Sequence, residues 1–309
     1  MKTIYTFSSL RTFQTCPMLY FYKYILGYRP VIIEVYLSFG KAFHQFLEDP
    51  TKEVELENAF ENAKLQALIQ GYKNRYQDII DIPYISHRSE IIFEIDIKQN
   101  KTAKIAGKFD DLIFVDLSND VLVEHKTSVE DIQLGSVYWQ KLQIDMQVGL
   151  YWLAMLTMHY RPKYILYNVI GKPLLQPLLA TPPENRKYKK DGSLYKNQRE
   201  YNETPEDYYN RICTDIIRNP DKYFQRATVQ LLKENLLAIK SDILSTIEHI
   251  EYCSKTNTWP RHTGNCIKFK KPCRFFPVCT EETNLNNIER YYQSDVLHPE
   301  LQEENNNND

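Results

Sequence analysis

Two short stretches carry side chains suited to hydrolysing a phosphodiester: Gly107-Lys108-Phe109-Asp110 and, after an apolar run, Glu124-His125-Lys126. Carboxylates brought together at the ends of neighbouring strands repel each other, and a hard divalent cation relieves that repulsion. Lys126 stands two residues beyond Glu124, so on a strand the two share a face and His125 points to the other. A cation on the phosphate and an ammonium that places or activates water are what this hydrolysis requires. The run Val121-Leu122-Val123 before Glu124 reads as a buried strand, where unpaired charges are costly. The plainer alternative is an exposed Glu–Lys pair. Asp111 competes with Asp110, and Glu90, at the start of the preceding strand, is a weaker candidate.

This arrangement resembles the active site of the PD-(D/E)XK nuclease superfamily. Further elements, in order along the chain, resemble its RecB/AddB-like branch, which includes the CRISPR-associated adaptation nucleases and phage-encoded stand-alone nucleases. His44 in Gly40-Lys41-Ala42-Phe43-His44 resembles a G-x-x-x-H element, and Gln147-x-x-x-Tyr151 a Q-x-x-x-Y element. Cys16 together with the distant Cys266, Cys273 and Cys279 resembles an iron–sulfur clasp. The resemblance implies that His44, Asp110, Glu124 and the His125 backbone carbonyl bind Mg²⁺ or Mn²⁺. It implies that Lys126 places or activates water while Gln147 and Tyr151 orient it. It implies a [4Fe–4S] cluster on the four cysteines, although a structural Zn²⁺ accepts the same ligands. The six residues between Cys266 and Cys273 depart from the usual C-x-x-C, which leaves Cys253 as a rival ligand. Cys213 reads as a buried thiol.

The elements that must position these groups alternate. Helices are expected from about Ser8 to Leu26, after Ser38 to Glu48, and from Thr51 to Tyr76. Strands follow at 91–97, 104–115 and 121–126, then a helix over 137–160 on which Gln143, Gln147 and Tyr151 share a face, then a strand at 163–170. Further helices are expected from Thr204 and over 228–252. The order is that of an α/β fold, and the resemblance makes it a restriction-endonuclease-like core with a mixed sheet between helices. A single nuclease domain over 1–296 is expected, with 1–33 and 252–280 forming the cluster region. Residues 181–204 read as a flexible basic insertion and 297–309 as a disordered tail.

The 309 residues carry a net charge of only −2, so overall charge does not point to nucleic acid. Its distribution is more informative. No acid occurs from Met1 to Ile33 or from Tyr252 to Thr280. The second segment holds Lys268, Lys270 and Lys271, and the insertion holds Lys187, Lys189 and Lys190; these six are the candidate nucleic-acid contacts. Balancing the charge of four thiolates is an equal explanation for the first three. No apolar run reaches the ~18 residues of a membrane span, and the first residues lack a signal peptide's apolar core. Six cysteines in such a chain suit a metal or redox centre in a cytoplasmic protein. The expectation is a Mg²⁺- or Mn²⁺-dependent deoxyribonuclease, first an exonuclease on single-stranded or frayed DNA ends, with a helicase or recombination protein as possible partner. The alternatives are a non-catalytic nucleic-acid-binding subunit and a zinc-stapled structural component.

Overall fold

A computed structural model of the chain describes residues 2–31, 35–76, 83–97, 102–268 and 270–302. Strand β1 (Thr3–Tyr5) leads into helix α1 (Phe7–Thr15), whose first turn is capped by the Thr6 and Ser9 side chains in a reciprocal box. The expected helix to Leu26 breaks at Cys16, which is held extended before Pro17, a residue with no N–H to donate. It resumes as α2 (Pro17–Tyr20) and a π-helical turn, Phe21–Ile25. After β2 (Tyr28–Pro30) comes α3 (Val35–Glu48). Helix α4 (Ala59–Arg75) begins at Ala59 and not near Thr51, because Asn58 caps it while Asp49 closes a turn on Thr51.

Strands β3 (Ser86–Asp96), β4 (Ala103–Asp116) and β5 (Asn119–Ser128) follow. The helix expected over 137–160 is divided. Helix α5 (Val137–Lys141) passes into a 3-10 turn, Asp145 turns extended, and its carboxylate caps α6 (Met146–Thr157). Gln143 thereby leaves the face it was expected to share with Gln147 and Tyr151. Then come β6 (Pro162–Gly171), α7 (Pro205–Arg218), α8 (Pro220–Tyr223) and a strand not foreseen, β7 (Phe224–Val229). Because β7 takes those residues, α9 runs later than expected (Lys233–Thr256). A small hairpin of β8 (Ile267–Lys268) and β9 (Lys271–Pro272), helix α10 (Phe276–Cys279) and β10 (Tyr291–Gln293) complete the elements with labels. The tail expected to be disordered from Leu297 instead forms a 3-10 turn at Pro299–Leu301, while 303–309 lie outside the described residues.

The main sheet is mixed, ordered β1-β4-β5-β6-β7 with β3 also on β4. Its β5–β6 pair is parallel and joined across α6, as an α/β fold requires. One face packs on α1, α6 and α9 through Leu10, Phe13, Val148, Ala154, Ile239 and Ile243. The other packs on α3, α4 and α7 through Phe43, Leu65, Tyr72 and Tyr208. The fold is thus a mixed α/β core with a central sheet flanked by helices.

Strand β4 organises the site. Its one edge pairs with β3 almost throughout. Its other edge pairs with β1 at Ala103, Lys104 and Ile105, then with β5 only from Asp111 onward. Between these stretches, residues 106–110 have no ladder partner on that edge among the described residues. The strand also skips a step there: Ile105 and Phe109 enter the α1/α6/α9 core, and beyond Asp110 so does Leu112. Opposite the skip, Glu90 sits at φ 54°, a region L-residues rarely adopt. Gly107 belongs to the same stretch, and a Cβ on it would lie 2.5 Å from Phe93 Cζ. The Phe93 ring cannot withdraw freely, because it packs on Phe109 at 4.5 Å between centroids. Gly107→Ala should therefore destabilise the fold by about 1–3 kcal/mol, measured by denaturant unfolding.

Candidate active site

The gap along β4 opens onto a cavity of about 210 Å³. Its walls include Asp110 of β4, Glu124 and Lys126 of β5, and Gln147 and Tyr151 of α6. The start of α1 and Glu300 close it. Backbone groups left unpaired by the gap are taken up by these same side chains. Asp110 Oδ2 accepts the His125 N–H at 2.8 Å. The Tyr151 hydroxyl donates to the Lys108 carbonyl at 2.9 Å, and Gln147 Nε2 donates to Tyr151 at 3.0 Å and to Glu124 Oε1 at 2.9 Å.

Glu124 is 1% exposed. Burial, then the charge of Asp110, push its carboxyl up to about 8, although Lys126 opposes this. The Lys126 ammonium lies 2.5 Å from Glu124 Oε1. Burial works against that ammonium, but Glu124 and Asp110 outweigh it and hold its pKa above the ordinary lysine value. The second oxygen, Glu124 Oε2, is buried without a hydrogen-bond partner among the described residues. His44 is half-buried and is not among the residues that line the cavity; its ring lies 6.2 Å from that of His125 and edge-on to it. Burial pulls its pKa down to about 4 although Asp110 pulls the other way, so at neutral pH the imidazole is uncharged and able to bind a cation.

Among the described residues, no three His, Cys, Asp or Glu groups already stand as a ready metal site. The donor set nonetheless fits a hard divalent cation: two repelling carboxylates, one with a buried orphan oxygen, and a neutral imidazole. The His125 ring points to the opposite face of the sheet and bonds Asp111 at 3.1 Å. Asp111, the rival of Asp110, is therefore placed away from the cavity.

Thr6, Lys108 and Glu300 also line the cavity, and the sequence pattern does not point to them as site residues. Thr6 could have been found from its capping box with Ser9. Lys108 lies in the cavity wall and pairs with Glu90, the weaker of the acidic candidates. Glu300 had no signal, because its partner Thr6 is 294 positions away. The turn bearing Glu300 is held by Thr6 and by His298, whose ring packs on Tyr24 at 5.4 Å.

Cys16, Cys266, Cys273 and Cys279 line a second, small cavity of about 30 Å³. Burial first, then the neighbouring thiols, raise the pKa values of Cys273 and Cys279; Tyr22 and Arg261 moderate the latter. Cys253 lies in the main core and does not reach this cavity, and Cys213 is half-buried elsewhere. Lys268, Lys270 and Lys271 are exposed on the β8–β9 hairpin. Lys187, Lys189 and Lys190 are exposed on a loop whose base is fixed by Glu203, which takes Arg211 and the Leu178 N–H.

A family model for the PD-(D/E)XK nuclease superfamily matches residues 5–279. The chain belongs to that superfamily, whose members are generally metal-dependent nucleases acting on DNA. No curated protein matches it. Among solved structures, the crystal structure of SSO0001 is similar at 17% identity, covering 58% of this chain and 84% of that one. The TM-score is 0.21, too low for that likeness to bear on the fold. No described helix is long and apolar enough to cross a membrane.

The protonation of Glu124 is measurable. Its folded pKa lies near 8, above its ordinary 4.5, so the folded chain keeps a proton that the unfolded chain has lost between these values. In chelator, stability should fall as pH rises from about 4.5 to about 8 and then level off. Urea unfolding of wild type against Glu124→Gln isolates this contribution, and the variant should lack it.

Proposed function

We propose that this protein is a Mg²⁺- or Mn²⁺-dependent deoxyribonuclease of the RecB/AddB-like type. Its action is exonucleolytic, on single-stranded or frayed DNA ends, in repair, recombination or phage DNA metabolism. The observation that supports this most is the Lys126 ammonium on Glu124 at 2.5 Å, beside Asp110, in one cavity at the gap of the sheet. A binding-only protein has no use for a buried acid–lysine pair whose carboxylate keeps an orphan oxygen.

His44, Asp110, Glu124 and the His125 carbonyl would hold the cation. When bound, it supplies charge neutralisation at the scissile phosphate and a more acidic water. Lys126, kept protonated, donates a hydrogen bond to the attacking water or the phosphate oxygen and stabilises the negative charge that grows there. Gln147 fixes the Glu124 carboxylate by donating to Oε1, and Tyr151 fixes Gln147 against the Lys108 carbonyl. The water oxygen joins phosphorus, and the bridging oxygen departs and takes up a proton. Lys187, Lys189, Lys190, Lys268, Lys270 and Lys271 hold the strand through its phosphates.

The four thiols hold a [4Fe–4S] cluster that joins residues 1–33 to 252–280. Support for this comes from the chain itself: thiols from positions as distant as Cys16 and Cys279 line one cavity, with Arg261 beside them to offset thiolate charge. Such a centre closes a long loop and so stabilises the folded chain.

With Mg²⁺ or Mn²⁺ the protein should degrade linear single-stranded DNA and stop on chelation. Lys126→Ala should slow single-turnover cleavage by about 10²-fold or more while DNA binding persists, since the lysine acts mainly in the transition state. Wild-type rates in both Asp110→Ala and Lys126→Ala would remove the basis of the assignment.

The cluster has its own test. Anaerobically prepared protein should be brown and carry roughly four irons per chain. Cys16→Ala should lose the colour, and Cys213→Ala and Cys253→Ala should keep it. Stoichiometric zinc without iron would replace the cluster by a structural Zn²⁺ and leave the nuclease assignment intact.

A further inference from the structure

On the face of the sheet turned away from the cavity, five adjacent strands each contribute one polar side chain: Ser89, Asp111, His125, Asn168 and Arg226. Ser89 lies opposite Asp111 in the ladder, His125 opposite Asn168, and Asn168 opposite Arg226. Their side chains form an unbroken hydrogen-bonded row. Ser89 Oγ donates to Asp111 Oδ1 at 2.5 Å, and Asp111 Oδ2 meets His125 Nε2 at 3.1 Å. Asn168 Nδ2 reaches His125 Nδ1 at 2.8 Å and the Tyr72 hydroxyl of α4 at 2.8 Å. Arg226 closes the row on the Tyr72 hydroxyl at 2.7 Å.

The middle of the row is buried, with His125 3% exposed, Asn168 1% and Asp111 7%, while Ser89 at one end is exposed and Arg226 at the other is half-buried. Isoleucine, leucine and valine fill neighbouring positions of the same face, at Ile113, Val121, Val123 and Leu166. Apolar residues would serve stability at least as well as a buried polar row, so stability alone does not account for it. What the row does provide is a fixed His125. An amide Nδ2 can only donate, so Nδ1 of the imidazole must accept and Nε2 must carry the hydrogen that goes to Asp111. Both ring nitrogens are then committed, and the ring cannot turn.

His125 is also the residue that touches the catalytic face by other means. Its backbone N–H is the donor to Asp110 Oδ2, while on the far face its ring is the edge partner of His44, which does not itself line the cavity. One residue thus bonds Asp111 with its side chain and Asp110 with its main chain, across the point where β4 and β5 separate. We infer that Asn168, Tyr72 and Asp111 act as positioning residues, holding His125 so that Asp110 and His44 are set for the cation. This rests on the proposal that Asp110 serves cation-dependent cleavage.

The test is direct Mn²⁺ binding by calorimetry on the full chain, alongside cleavage, DNA binding and unfolding. Asn168→Leu should weaken Mn²⁺ binding by about 10-fold or more, as loss of a group that orients a metal ligand does, with DNA affinity unchanged. Nitrogen NMR of the wild type should show His125 with its hydrogen on Nε2, and Asn168→Leu should lose that single tautomer. Tyr72→Phe removes only a hydroxyl from a ring packed on Phe43 and Phe46; it should shift Mn²⁺ binding in the same direction and stands in if Asn168→Leu does not fold. Lower unfolding stability with wild-type Mn²⁺ affinity in both variants would reduce the row to a packing element and overturn the inference. Wild-type protein that binds Mn²⁺ no more tightly than Asp110→Ala would instead defeat the nuclease reading on which it rests.

Discussion

A strand in a sheet has two edges to satisfy, and β4 leaves part of one unpaired. The second edge is handed from β1 to β5 across residues 106–110, where neither strand pairs with it. Backbone groups inside a protein cannot be left without partners at small cost, so side chains must enter the gap. Tyr151 comes for the Lys108 carbonyl, and Asp110 comes for the N–H of His125. The cavity is what remains between them. Asp110 and Tyr151 both repair the ladder and line the cavity, which fixes their geometry more firmly than a loop would.

That geometry holds charges in an arrangement the chain alone does not relieve. Glu124 is buried beside Asp110, and Lys126 answers only one of its oxygens. The buried position raises the cost of the second negative charge, and a proton or a cation must meet it. A neutral His44 at the margin adds a donor without adding repulsion. A divalent cation would relieve the repulsion of a doubly charged state here.

Much of this was legible from residue types at fixed offsets. Glu124 and Lys126 share a face because strands alternate, and the apolar run before them sets the strand deep in the sheet. Gln147 and Tyr151 lie four apart on α6, as the helical period requires, and Asp145 could have been recognised as the cap that starts that helix. Pro17 likewise announces the break at Cys16. What local pattern could not supply was side-chain pairing over distance. The skip of β4 at Asp110 depends on Glu90 adopting φ 54°, which nothing in its neighbours demands. The short alternation of β7 was too brief to outweigh the helical pattern that follows it. Glu300 sits in a polar tail whose composition suggests no structure, and its contacts with Thr6 and His298 help to hold it.

The turn at Pro299–Leu301 has a consequence in time. A ribosome makes β1, α1 and both carboxylate-bearing strands early, yet the wall that Glu300 contributes to the same cavity is translated after all of them. Cys266, Cys273 and Cys279 are also late, and they meet Cys16 from the start of the chain. Until the segment bearing Glu300 is made, Asp110, Glu124 and Lys126 lack the wall that Glu300 provides. The pocket takes its described form only when that segment has folded back onto Thr6 and α1.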